Sequence, residues 1–314
     1  MRRLLLILIV LTVSFAKVKA QLDVQISQYW AIPSYYNPAA SGMGDKINVT
    51  ALSRMQWSGI DNAPTTFFVT ADTPIEFFNK SHGVGVVVNN DKAGLFSSTS
   101  FSLQYAYKLK LWEGELALGL RVGMISQAFD GTKVDIPETP DHNTSDESIP
   151  QTNVSGMGFD AGFGALFRHK YFDISLSSSH LTAPSIELDE KSVVKIPRVF
   201  YLSAGGNIML ENSLFEVYPS VMLKTTMQFT QFDASLRMRY NKMFWAGLSY
   251  RVNDAVVVMI GGEFKSIRVG YAYDIGTSAL AKVSGGSHEV FASYAFEIKK
   301  SKKLKNKHKS IRIL

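Results

Sequence analysis

The chain has 314 residues, no cysteine and a formal net charge of +6, with 46% of its residues hydrophobic. Past residue 20 no apolar run approaches the roughly 18 to 20 residues of a membrane helix, so helical spans are excluded; without cysteine, so are disulfide bracing and thiolate chemistry. The positive charge is terminal: residues 1–20 and 299–314 together carry +12 and leave −6 for residues 21–298, which excludes a body built to bind nucleic acid.

The first run, MRRLLLILIVLTVSFAKVKA, sets Arg2 and Arg3 before an apolar core from Leu4 to Phe15, with Val18 and Ala20 ahead of Gln21. It predicts a secretory signal over 1–20, and therefore an exported chain. Residues 21–44 form a second unit around QISQYWAIPSYYNPAASG. Its rings would expose much aromatic surface unless covered, and its Asn-Pro pair signals a tight turn. Two readings stand side by side. The segment is a tight turn that guides the chain into a barrel, or it is a plug or periplasmic docking element, for which Tyr29, Trp30, Tyr35, Tyr36, Asn37 and Pro38 are the candidate partner-binding residues.

From 45 to 298 polarity alternates with period two over segments of about ten residues, the pattern of strands with one oily and one wet face. Leu116, Leu118, Leu120, Val122 and Met124 oppose Ala117, Gly119, Arg121 and Gly123; Phe232, Leu236, Met238 and Tyr240 oppose Asp233, Ser235, Arg237 and Arg239. Soluble sandwiches also alternate. Three features favour a membrane barrel instead. Segment ends carry aromatic residues such as Tyr105, Tyr107, Trp112, Trp245, Tyr294 and Phe296, as interfacial girdles do. The connections LWEGE, RHKY, LENS and NKM are tight, whereas 130–154, 180–196 and 274–286 are long. Glycines sit inside strands, Gly83, Gly85, Gly119, Gly164, Gly206, Gly261 and Gly262 among them, where a crowded inner wall needs room. Strand centres fall near Val49, Val69, Val86, Leu103, Leu118, Phe163, Ile174, Leu202, Val221, Leu236, Leu248, Val258, Val269 and Ala292. The fold class is all-β: a transmembrane antiparallel β-barrel of about 14 strands, with short periplasmic turns, longer external loops and both termini in the periplasm.

Catalytic chemistry is thin. The six histidines show no H-E-x-x-H arrangement and no spacing that aims two rings at one metal, and Ser155 lacks a nucleophile elbow. The acidic link 130–150 lacks the calcium-loop pattern; it is a solvated external loop or a weak cation or partner site. His288 and Glu289 point to opposite strand faces, which suits an assembly role better than a relay. No catalytic, metal or cofactor residue is assigned. The tail carries Lys299, Lys300, Lys302, Lys303, Lys305, Lys307, Lys309 and Arg312 without an acidic residue after Glu297. Such a segment is a candidate contact for an acidic partner or for anionic outer-membrane lipid, or a solvated end.

Four stretches carry more than composition: QISQYWAIPSYYNPAASG, RMQWSGIDNAPTTFFVTADTPI, GVGVVVNNDKAG and GSHEVFASYAF. In content and order they resemble the PorP/SprF family of Bacteroidetes outer-membrane proteins, over the whole mature chain. The resemblance implies a non-enzymatic barrel of the type IX secretion system, serving gliding in some relatives. It also implies partners among periplasmic and peptidoglycan-associated proteins or lipoproteins. One departure is that the chain runs on for eighteen residues past Phe296. The rival reading is a passive solute channel: Arg121, Arg168, Arg237, Arg239 and Arg251 either line a pore or pair with Asp160, Asp173 and Asp233 to fill it.

Overall fold

The computed structural model describes residues 24–78, 80–134, 150–210 and 214–297. The expected signal (1–20), the basic tail (299–314) and most of the acidic link lie outside the described residues. The strands are β1 (Lys46–Met55), β2 (Thr65–Phe77), β3 (Lys80–Ala93), β4 (Phe96–Leu111), β5 (Gly114–Asp130), β6 (Asn153–Arg168), β7 (Phe172–Ser179), β8 (Ser185–Asp189), β9 (Ser192–Lys195), β10 (Val199–Gly206), β11 (Ile208–Met209), β12 (Phe215–Thr225), β13 (Thr230–Tyr240), β14 (Phe244–Arg251), β15 (Ala255–Phe264), β16 (Ile267–Gly276) and β17 (Ser287–Glu297).

Neighbours pair antiparallel in chain order, β10 pairs with β12, and β1 pairs with β17 from Lys46↔Glu297 to Met55↔His288, closing the sheet on itself. Strand β11 resumes β10 after Asn207, and β8–β9 is a separate hairpin, so the barrel wall has fourteen strands. Closure leaves no ladder edge to hydrocarbon, where an unpaired backbone group has no water to turn to. Each expected strand centre falls inside one wall strand.

At one rim every connection is short: 78–79, 112–113, 169–171, 210–214, 241–243 and 265–266. The opposite rim carries the long links 56–64, 131–152, 180–198 and 277–286, together with tight turns at 94–95, 226–229 and 252–254. Two of those tight turns use the left-handed backbone that glycine and asparagine tolerate, at Gly94 (φ 61°) and Asn253 (φ 61°). Inside the 180–198 link, Ile186 and Leu188 of β8 pack against Ile125 of β5.

The alternation holds. Leu120, Val122, Met124, Leu236, Val290 and Tyr294 are exposed on the outer wall, whereas Arg121, Asp160, Asp233, Arg251, Glu289 and Phe291 are buried inside. Two glycines expected on the inner wall are corrected: Gly206 and Gly262 fall on the outward parity of β10 and β15.

The segment before β1 lies within the barrel. Residues 24–43 run from the long-loop rim, where Lys224 Nζ reaches the carbonyl of Val24 (3.3 Å), to the short-turn rim, where Arg168 Nη1 reaches the carbonyl of Met43 (2.7 Å). Val24 and Glu297 therefore sit at opposite rims. An even strand number does return Glu297 to the rim where β1 begins, but the chain ahead of β1 crosses the lumen, so the expected sharing of one rim by both ends is not what the described chain shows.

Candidate functional site in the barrel lumen

Proline and asparagine shape the lumen segment. Three single turns, Tyr29–Ala31, Pro33–Tyr36 and Pro38–Ala40, follow one another, with proline opening the second and third. Proline suits a first helical position because its missing N–H is unpaired there anyway. Asn37 caps the third turn, its Oδ1 accepting from Ala39 N at 2.8 Å.

At the long-loop end the segment is clamped by a buried ionic cluster. The Glu289 carboxylate accepts the backbone N–H groups of Ser27 and Gln28, each at 2.7 Å. Arg54 donates to Glu289 (3.2 Å), to Asp274 (2.8 Å) and to the Ser27 hydroxyl (3.0 Å). Arg251 donates to Asp274 (2.9 Å) and to Ser27 Oγ (2.9 Å), and pairs with Asp233 at 3.3 Å. Ser27 Oγ in turn donates to Asp274 at 2.7 Å. Arg54, Arg251, Asp274 and Glu289 are each at most 2% exposed. Together with Asp233, Asp254, which pairs with Arg251 at 3.2 Å, and Lys224, which reaches Gln25 Oε1 at 3.0 Å, the cluster sets four acids against three bases. Removing one member would strand a buried charge, a change that costs about 3–5 kcal/mol.

Further down, the wall reads the segment's backbone. Arg121 donates to the Tyr35 carbonyl (3.0 Å), Ser177 to that of Tyr36 (2.8 Å), and Gln104 to that of Ser34 (2.8 Å). Asp72 accepts from Gly42 N (2.8 Å), Lys108 donates to the Gly42 carbonyl, and Asn37 Nδ2 donates to the Ala165 carbonyl (3.0 Å) and to Ser175 (2.7 Å). Glycines make this approach possible. A Cβ at Gly83, Gly119 or Gly164 would collide with Ser41 O, Ala39 N or Asn37 Oδ1. The rings interlock edge to face, Trp30 with Trp245 at 4.8 Å, Tyr35 with Phe68 at 4.6 Å and Tyr36 with Tyr201 at 5.2 Å. Tyr29 sits among them, its hydroxyl 2.7 Å from Ser220 Oγ.

Of the residues singled out in the sequence, Tyr29, Tyr35, Tyr36, Asn37 and Pro38 are buried against the wall, and Trp30 is packed beside them. Their aromatic surface is covered by the barrel itself, which corrects the expectation that they offer it to a partner. The tail residues Lys299 to Arg312 lie outside the described residues. Among the inner arginines, Arg251 pairs with Asp233 as anticipated, and Arg121 stands 4.0 Å from Asp160. Arg168 faces Asp173 across β6–β7 but donates to Met43 instead. Arg239 takes Glu216 (2.5 Å) and Glu263 (3.5 Å). Sequence reasoning missed Ser27, Arg54 and Asp274 and gave Glu289 an assembly role without its partners. The signal was present: Ser27, Arg54 and Glu289 lie in QISQ, RMQW and SHEV. No group of three or more metal-ligating side chains occurs among the described residues.

A family model described as "Type IX secretion system membrane protein PorP/SprF" matches residues 18–294. The chain belongs to the PorP/SprF family. It is accordingly an outer-membrane β-barrel, and the four motif stretches gain a physical meaning. Each supplies the lumen segment or a wall residue that holds it: Ser27 and Asn37, Arg54 and Asp72, Gly83 and Gly85, Glu289. No curated protein matches the chain. Among solved structures it is similar to the outer membrane protein Omp33 of Acinetobacter baumannii, with 8% identity over 82% of this chain and 100% of that one and a TM-score of 0.46. It is also similar to the toluene transporter TodX of P. putida (9% identity, 83% and 92% covered, TM-score 0.46). A third is the CymD monoaromatic hydrocarbon channel (12%, 89% and 95%, 0.47). These likenesses concern barrel architecture alone.

Proposed function

We propose that this PorP/SprF protein is a non-enzymatic scaffold of the type IX secretion machinery: a sealed barrel whose rims, not its lumen, do the work. The observation that carries this reading is the clamp of Glu289, Arg54 and Asp274 on Ser27 and Gln28, which fixes a segment of the same chain across the lumen. A passive solute channel, the rival reading, calls for an open water-filled path, whereas here Arg121 and Arg168 hold carbonyls of the segment, Arg239 and Arg251 hold carboxylates of the wall, and Arg237 stacks on Trp30 of the segment.

In the proposed orientation the short turns and the basic tail face the periplasm and the long loops face outward. The tail then attracts acidic surfaces of periplasmic or peptidoglycan-associated proteins or lipoproteins, with a strength that salt screens. Pull-down of the intact protein from membranes tests this. Periplasmic partners identified by mass are expected with the full chain, and are expected to be lost in high salt and on deletion of residues 299–314. Unchanged secretion and surface display in cells lacking the protein would overturn the assignment.

A further inference from the structure

The short-turn half of the lumen holds two ring-stacked cations: Arg237, which no carboxylate pairs, and Arg268, whose register partner Glu263 across β15–β16 is shared with Arg239. Arg237 of β13 stacks on Trp30 of the lumen segment, with its guanidinium carbon 3.6 Å from the ring centroid and 4.8 Å from that of Tyr218. Arg268 of β16 lies 5.7 Å from Trp30 and 5.7 Å from Phe291. Neither makes an ion pair or hydrogen bond among the described residues. The nearby carboxylates are engaged elsewhere: Glu216 accepts from Arg239 and from Tyr218 (2.7 Å), and Glu263 pairs with Arg239.

The surrounding polar atoms show the same imbalance. Trp30 Nε1, Trp245 Nε1 and Gln28 Nε2 are buried donors without acceptors, against two orphan acceptors, Gln28 Oε1 and Asn207 Oδ1, the latter lining the cavity beside Trp30. Gln28 is fully buried and Trp245 is 5% exposed. Beside Trp30 and Arg237 a cavity of about 510 Å³ opens, edged by Arg168 and Lys170 and carrying one carboxylate, Asp173. A ring face offsets part of a cation's lost hydration, by about 0.5–2 kcal/mol, but leaves its N–H donors unfilled.

We infer that this half of the lumen is a binding site for a phosphate-type oxyanion, held in the cavity between Arg237, Arg168 and Lys170 of the wall and Trp30 of the lumen segment. A tetrahedral oxyanion accepts from several directions at once, as donors on β13, at the end of β6 and on the segment require, whereas a carboxylate accepts in one plane. The anion neutralises the Arg237 guanidinium and ties the segment to the wall. The cavity admits a whole phosphate monoester or diester, so the group arrives as a free phosphate or as a lipid headgroup.

The test uses the full chain in detergent, prepared without phosphate, with inorganic phosphate and short-chain phosphatidylglycerol as separate probes. Saturable binding of at least one probe is expected, read by calorimetry and by a change in Trp emission from Trp30 and Trp245. Arg237→Gln is expected to weaken binding about tenfold or more, the scale of one charge-assisted hydrogen bond, and Arg237→Lys less. Lys242→Gln, at an exposed turn of the same rim, leaves it unchanged. Binding of inorganic phosphate identifies the free anion as a ligand, and binding of phosphatidylglycerol alone identifies a headgroup. Absence of saturable binding to the unmodified protein, or equal affinity in Arg237→Gln, overturns the site. Because the emission readout needs only the unmodified protein, a variant that fails to fold does not shield the proposal.

Discussion

The two halves of the lumen hold the same segment by opposite electrostatics. Near the long loops, Arg54 and Arg251 are surrounded by Asp233, Asp254, Asp274 and Glu289, and the cluster fills their donors from within. Near the short turns, Arg237 touches rings and no carboxylate, while Arg268 stacks on rings and shares Glu263 with Arg239. The difference teaches that burial of a charge does not by itself say whether it braces a fold or awaits a ligand. What decides is whether its donors are already filled.

The largest way to break the comparison is at the clamp. Arg54→Ala leaves Glu289 and Asp274 buried with one cation fewer, and is expected to cost about 3–5 kcal/mol, read as a lowered unfolding temperature in detergent. Pairing it with Glu289→Gln should recover part of that loss, because one of the stranded charges is then gone. Asn37→Ala comes next. It removes the cap on Ala39 N and the bonds to Ala165 O and Ser175, for an expected loss of about 1–2 kcal/mol by the same measurement. Smallest is Arg237→Ala in phosphate-free buffer, which gives up stacking worth about 0.5–2 kcal/mol but also removes a half-buried charge that no carboxylate pairs. Its unfolding temperature should stay near that of the unmodified protein, in contrast to Arg54→Ala.

Much of the wall was legible in the sequence because alternation is a local signal. Leu118 beside Ala117, or Val290 beside Glu289, declares its face without reference to any partner, and each strand centre could be placed this way. The lumen segment's path was not legible. Arg54 and Glu289 are 235 positions apart, and the period-two pattern says that both point inward without saying that they meet over Ser27. The same limit hid the contrast between Arg251 and Arg237, two inward arginines of similar appearance whose neighbours come from other strands. The β8–β9 hairpin was read as part of a long link, since its residues pair only with each other in a two-stranded sheet. Gly83, Gly119 and Gly164 were read correctly as room-makers, unlike the outward Gly206 and Gly262, but what they make room for, residues 37–42, became visible only with the chain folded.

Current through a planar bilayer tests the central claim, a lumen sealed by the protein's own N-terminal segment. The intact protein should show no steady open-channel current, and Arg54→Ala should show intermittent openings as the segment loses its clamp. Steady current from the intact protein, at a level that Arg54→Ala leaves unchanged, would contradict the account.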